Sequence, residues 1–148
     1  MLENPLLGDA RVRVGVGALV INADNQVLLL KRPSSNEFDP ETWSQPGGRL
    51  VFGESPYTAT IRKLVEEVGI KAHSLSLLTV HSHLAGKPDS QIQWISICYL
   101  CADFSGEPSR WEEANRLIWN WFPLTALPSP LTAYTAATID SLIFRAKR

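Results

Sequence analysis

One stretch, residues 48–70, constrains this chain more than any other part of its sequence. It reads GRLVFGESPYTATIRKLVEEVGI, a glycine-containing loop followed by a segment with helical periodicity. Ser55 and Pro56 are typical of a helix start, because serine can cap the first turn and proline fits the first helical position. Gly69 is placed to end the helix in a left-handed conformation. The apolar residues of one predicted buried stripe are Tyr57, Ile61, Leu64 and Val68.

The opposite edge of this predicted helix carries charged side chains. Glu66 and Glu67 are adjacent, and Arg62 and Lys63 precede them by one turn. Carboxylates at the exposed edge of a helix, beside a backbone loop, suit a hard cation such as Mg²⁺. Lys63 instead places a positive charge at i−3 and i−4 from the two glutamates, where it can pair with both.

The remaining sequence predicts strands on both sides of this helix. Residues 11–21 and 26–31 are apolar and rich in β-formers, with turn residues between them, so a hairpin is predicted. Residues 75–84, 92–104 and 117–122 predict further strands, and Ser129-Pro130 repeats the helix-start pattern before a last helix. This order, with an apolar last-helix face, predicts an α/β (α+β) fold, a mixed sheet packed between helices, in a single domain over residues 1–148.

Composition excludes several classes of partner. Fourteen basic against fifteen acidic residues give a net charge of −1, which does not favour a nucleic-acid polymer or a membrane surface. The N-terminal residues lack the basic-then-apolar order of a signal peptide, so a cytoplasmic location is expected. Cys98 and Cys101 have C-x-x-C spacing, but they lie in a predicted strand without a second cysteine pair, and buried, reduced thiols are expected.

The spacing in residues 48–70 resembles the Nudix box, G-x5-E-x7-R-E-U-x-E-E-x-G-U with U apolar. The single departure is Lys63, which replaces the first glutamate of R-E-U-x-E-E. The segments WSQPGG before the box and WNWFPLTALP after it are also similar to MutT-like nucleoside-triphosphate pyrophosphohydrolases, so the resemblance covers about residues 11–128. The box positions are Gly48, Glu54, Arg62, Lys63, Leu64, Glu66, Glu67, Gly69 and Ile70.

The resemblance implies a Nudix α/β/α sandwich and a hydrolase that acts on an acid anhydride, the pyrophosphate of a nucleoside di- or triphosphate derivative. By the same resemblance, Glu66 and Glu67 would ligate Mg²⁺ or Mn²⁺, with the Gly47 carbonyl as a backbone ligand. Arg62 would orient the helix carboxylates and Glu54 would support that network. Relatives are often dimers, so a homodimer is also an expectation.

Several residues outside the box have more than one possible role. The family often takes another acidic ligand from a downstream loop, for which Glu113 or Glu112 is the local choice; an ordinary solvated pair is the alternative. His81 and His83 share one face of a strand and either line the substrate cleft, supply a base, or are partly buried sheet residues. Arg32 either contacts phosphate or ends a strand in solvent. Four tryptophans either provide an aromatic surface that stacks on a nucleobase or pack in the core. They are Trp43, Trp94, Trp119 and Trp121.

Lys63 leaves three functions open. The first is a Mg²⁺-dependent pyrophosphohydrolase that binds fewer ions and takes its base from elsewhere. The second is a nucleotide-sugar glycosyl hydrolase of the GDP-mannose type, and the third is a catalytically degenerate domain that binds a nucleotide or a partner without turnover. A protonated lysine has no lone pair for a metal, and losing a positioned base costs about 10²–10⁴-fold in rate. The loops contain no recognisable code for one nucleotide.

Overall fold

Strands dominate the computed structural model, which describes residues 11–36, 38–109 and 118–147. One helix lies between two groups of strands, and a second helix follows the last strand of these residues. The elements are β1 (Val12–Val20), β2 (Gln26–Lys31), β3 (Trp43–Ser44), β4 (Gly47–Arg49), α1 (Pro56–Val68), β5 (Lys71–Ala85), β6 (Ile92–Ser105), β7 (Ile118–Pro123) and α2 (Ala133–Ala146). No helix of the described residues is both long enough and apolar enough to cross a membrane.

The strands form two sheets, and β1 lies inside the larger one. Its order is β4-β1-β6-β5, with β1 parallel to β6 and the other neighbours antiparallel. The second sheet has the order β3-β2-β7. The predicted hairpin of β1 with β2 is therefore wrong, because β4 and β6 pair with the two edges of β1. A single bridge, Ile21 with Val27, joins the two strands after the turn.

Side chains of β1 and β2 alternate between two hydrophobic cores. Ala18 and Val20 pack with Leu64 and Val68 of α1, whereas Leu19 packs in a second cluster with residues of α2. Successive residues of a strand point to opposite faces, so one helix covers each face. This arrangement confirms the predicted mixed sheet between helices.

Helix α1 begins and ends as its sequence predicts. The Ser55 side chain accepts a hydrogen bond from the Thr58 N–H at 3.1 Å, and Gly69 adopts a left-handed φ of 71°. Leu64 and Val68 are fully buried, but the first residue of the predicted stripe is not. Tyr57 is 40% exposed, and its hydroxyl accepts a hydrogen bond from the Leu75 N–H.

Helix α2 begins later than predicted. Its N-cap is Thr132, three residues after Ser129, and the side chain of this residue makes no cap hydrogen bond. The Thr132 hydroxyl lies 2.7 Å from that of Thr135, and both residues are buried. The two cysteines, Cys98 and Cys101, are free and buried as expected.

Candidate functional site

Arg62 holds two carboxylates at the edge of α1. Its Nε and Nη2 donate to the Glu54 carboxylate at 3.0 and 2.5 Å, and Nη1 donates to both Glu66 oxygens at 3.1 and 3.0 Å. Glu54 also accepts from the Val51 N–H at 2.9 Å, which ties it to the loop before the helix. The hydrogen bonds from Arg62, and then that from Val51, lower the pKa of Glu54. The hydrogen bonds to Glu54, and then those to Glu66, raise the pKa of Arg62, so the network is charged at neutral pH.

Glu67 faces the glycine loop. Its carboxyl makes a hydrogen bond with the backbone of Gly47, and the positive charges of Lys63 and Arg32 lie close enough to act on it. Burial has the larger effect and raises the pKa of Glu67 to about 7, from an ordinary value of 4.5. Glu66, by contrast, has a side chain that is 52% exposed. The two carboxylates of this helix edge therefore differ, since Glu67 is half-buried and Glu66 is exposed.

Lys63 lies between the helix and the loop. Its Nζ is 3.6 Å from the Glu66 Oε2, and a Cβ placed on Gly48 would lie 2.5 Å from the lysine Cε. The absence of a side chain at residue 48 thus makes room for the lysine. The charge of Lys63 lowers the pKa of both Glu54 and Glu67. The ammonium group therefore lies among the carboxylates of the box.

The loop that contacts Glu67 is packed tightly against β1. A Cβ on Gly47 would overlap the Val16 carbonyl oxygen and would lie 2.8 Å from the Gly17 Cα. The close approach is fixed by antiparallel pairing of Gly17 with Gly47. Only glycine permits this packing, which places the backbone of residue 47 beside the helix edge.

A cavity of about 360 Å³ adjoins the same loop. Gly47 and Gly48 form part of its wall. Because Gly47 contacts Glu67 and Gly48 contacts Lys63, the cavity adjoins the charged edge of α1. The volume is that of a small-molecule site, about 300–1,000 Å³. Polar and aromatic residues that line the cavity include Arg13, Arg32, Gln45, Arg49, His83, Trp94 and Tyr134.

Two of the predicted substrate-binding residues, Arg32 and His83, line this cavity. Arg32 donates from Nε and Nη2 to the Phe38 carbonyl and from Nη1 to the Tyr134 hydroxyl at 3.3 Å. Burial, then the neighbouring His81, lowers the pKa of His83, so its ring is neutral at pH 7. His81 stacks on His83 with ring centroids 5.4 Å apart and is not among the lining residues.

The residues present fit a divalent cation that is shared with a phosphate. No group of three or more His, Cys, Asp or Glu side chains that could hold a metal occurs within the described ranges. Mg²⁺, however, is usually bound by one or two carboxylates together with substrate phosphates and water. Glu66 and Glu67, with the backbone of Gly47 beside them, meet that requirement. The predicted downstream ligands, Glu112 and Glu113, lie outside the described residues.

Sequence reasoning missed most of the cavity. Arg13, Gln45 and Tyr134 belong to β1, the loop before β4 and α2, so they are distant in sequence. Among the four tryptophans with two readings, Trp94 lines the cavity. The other three pack against the hydrophobic cores, and these are Trp43, Trp119 and Trp121.

Comparisons with known proteins all indicate the same family. The family of the NUDIX domain matches residues 11–142. An RNA pyrophosphohydrolase of Psychromonas ingrahamii is 36% identical over 101 residues, 67% of this chain and 51% of that protein. One of Agrobacterium fabrum is 28% identical, and the match covers 91% of each chain. The crystal structure of a MutT NUDIX hydrolase from Burkholderia pseudomallei has 34% identity and a TM-score of 0.78, covering 88% of this chain and 98% of that one.

The share of each relative that is matched differs widely. The chain spans 36% to 51% of the length of several RNA pyrophosphohydrolases that it matches, and nearly all of the Burkholderia protein.

Proposed function

Because the chain belongs to the Nudix family, we propose that it hydrolyses the pyrophosphate bond of a nucleoside di- or triphosphate derivative with the help of Mg²⁺ or Mn²⁺. The observation that carries this proposal is the edge of α1, where Arg62 fixes Glu54 and Glu66 next to Glu67. This edge adjoins a cavity large enough for a nucleoside. A phosphate chain that extends from the cavity would therefore reach the carboxylates.

Each residue of the edge has a separable task in this proposal. Glu66 and Glu67 would hold the cation, and the Arg62 guanidinium keeps Glu66 oriented through two hydrogen bonds. Glu54 links Arg62 to the loop, since one of its oxygens accepts from the Val51 N–H. When bound, the cation would neutralise phosphate charge and activate water. Lys63 would add a fixed positive charge for the phosphate oxygens, and Arg32 and Arg49 line the adjoining cavity.

A panel of nucleotides tests the hydrolase proposal. Nucleoside di- and triphosphates, nucleotide sugars and dinucleotides would be incubated with Mg²⁺ or Mn²⁺, and phosphate or pyrophosphate release would be measured. We expect turnover of at least one class, and its loss in Glu67→Gln. Asp140→Asn, an exposed acid on α2, is the matched control and should keep full activity. Full activity in Glu67→Gln would refute the assignment of Glu67.

Lys63 favours a second candidate, a domain that binds a nucleotide without turnover. Its ammonium lies 3.6 Å from the Glu66 Oε2, in the position of a cation beside that carboxylate. A nucleotide that binds but is not cleaved under any metal condition would select this candidate. Free sugar released from a nucleotide sugar, with the pyrophosphate intact, would instead select the glycosyl hydrolase.

A further inference from the structure

Strand β5 forms one edge of the larger sheet. In the order β4-β1-β6-β5 it has a neighbouring strand, β6, on one side only. With 15 residues it is also the longest strand of the described part of the chain. Edge strands expose unpaired backbone N–H and C=O groups, and proteins usually protect such edges with charged side chains, proline, β-bulges or contacts from other elements. The protection of β5 differs between its two halves.

The first half of β5 is protected in two ways. Three irregularities interrupt its pairing with β6, and all of them lie between residues 72 and 79. Side chains of both helices also bond to its backbone. The Tyr57 hydroxyl of α1 accepts from the Leu75 N–H, and Arg145 of α2 donates to two successive carbonyls at 2.9 and 3.1 Å. A further strand could not pair regularly along this half.

The second half of β5, residues 79–85, lacks these protections. It pairs with β6 in one unbroken register, and its sequence, TVHSHLA, contains no proline, aspartate, glutamate, lysine or arginine. No side chain of the described residues makes a hydrogen bond to its backbone. Val80 and Leu84 are 58% and 62% exposed, and both lie on the same face because they are four residues apart in a strand. This half therefore combines an open backbone edge with two exposed apolar side chains.

We propose that residues 79–85 pair with the same segment of a second copy of this chain, antiparallel about a two-fold axis at Ser82. In this register Val80 lies opposite Leu84 of the partner subunit, and the symmetry repeats the pair on the other side of the axis. Each exposed apolar side chain thereby gains a cross-strand neighbour. An axis at residue 81 or 83 would instead place one of the two opposite a serine.

The chemistry of the segment favours its own copy as the partner. A two-fold interface brings the same surface against itself, so the surface must be complementary to itself. The segment has no carboxylate, ammonium or guanidinium group that would meet a like charge across the axis. Its backbone donors and acceptors match each other in antiparallel pairing. On the opposite face His83, which lines the cavity, would lie beside His81 of the partner subunit. This inference does not depend on the proposed hydrolysis.

The mass of the full chain in solution tests the pairing directly. Sedimentation equilibrium would be measured over a wide range of protein concentrations. We expect the mass of two chains at the upper end and dissociation into single chains on dilution. The mass of a single chain at every concentration would overturn the proposal and would leave the edge to a strand of a different protein.

Two lysine variants locate the interface. Val80→Lys removes both symmetry-related apolar pairs, so the dissociation constant of the dimer should rise roughly tenfold. Leu77→Lys is the matched control, because Leu77 is 49% exposed on the same strand but lies in the protected half. Its dimer should dissociate as that of the unmodified chain does. An equal effect of both variants would contradict pairing through residues 79–85.

A cysteine on the axis tests the register. Opposite residues of antiparallel strands have Cα atoms about 4.5–5.5 Å apart, which a disulfide can bridge. Mild oxidation of Ser82→Cys should therefore link two chains on a non-reducing gel. Ser76→Cys, at an exposed serine of the protected half, should stay unlinked, as should the unmodified chain, whose Cys98 and Cys101 are buried.

The outcomes of the cysteine experiment separate pairing from register. No linkage in Ser82→Cys, or equal linkage in both variants, would refute the axis at residue 82. If neither variant folds, the mass of the unmodified chain decides whether the pairing exists.

Discussion

Replacing Glu67 by glutamine should make the protein more stable and inactive at the same time. In the folded chain burial raises the pKa of this carboxyl from 4.5 to about 7, so above pH 7 the folded chain carries its ionised form at a cost in stability. At about 1.4 kcal/mol for each unit of pKa, the full difference would be about 3 kcal/mol. The side chain retains part of its exposure, and solvent screening reduces the expected gain to about 2 kcal/mol.

The pH dependence identifies the cause of this gain. The penalty of ionised Glu67 is complete above the folded pKa of about 7 and absent below the unfolded value of 4.5. Glu67→Gln should therefore raise the free energy of unfolding at pH 8 and leave it unchanged at pH 4, in urea titrations without metal. Saturating Mg²⁺ should stabilise the unmodified chain alone, because the variant lacks the ligand charge. A gain of equal size at both pH values would refute the reasoning, since burial of a charge cannot act on a protonated group.

Three further substitutions test other parts of the site. Lys63→Glu restores a carboxylate and should raise Mg²⁺ affinity about tenfold or more by calorimetry; unchanged affinity would mean that the lysine does not compete with the cation. Arg62→Lys keeps the charge but loses the forked contact to both carboxylates, so kcat should fall about tenfold with the fold retained by circular dichroism. Gly47→Ala would force a side chain into the backbone of β1 and should cost about 3 kcal/mol or more, whereas Gly48→Ala meets only the flexible chain of Lys63 and should leave the melting temperature nearly unchanged.

The helix of the box was predictable because its signals are local. Serine at 55, glycine at 69 and the spacing of Leu64 and Val68 act within a few residues of one another, and the structure forms the cap, the left-handed turn and the buried stripe. Tyr57 satisfies the same spacing but stays 40% exposed. Its phenol has a polar partner on β5, and a periodicity argument does not contain that contact.

Pairing between distant segments was not predictable. The turn after β1 suggested a hairpin. Instead, β1 pairs along its length with β6, which lies about eighty residues later in the sequence. Val12 pairs with Gln93 at one end of this register, and Val20 pairs with Cys101 at the other. The residues that line the cavity were not predictable for the same reason, because they come from segments that are distant in sequence. Gln45 lines the cavity, and its amide is held there by Cys98 in space that Gly17 leaves, although both residues lie on other strands.

The two glycines between the cavity and the helix have a consequence for how such a protein can diversify. Gly47 and Gly48 face the cavity and also contact Glu67 and Lys63, so the wall between the two regions is only one backbone thick. Most of the side chains that line the cavity come from other strands, from loops and from α2. New ligand preferences can therefore be acquired at those positions one residue at a time while the carboxylate edge is inherited unchanged. A substitution at Gly47 or Gly48 would instead alter both the cavity and the carboxylate edge in one step.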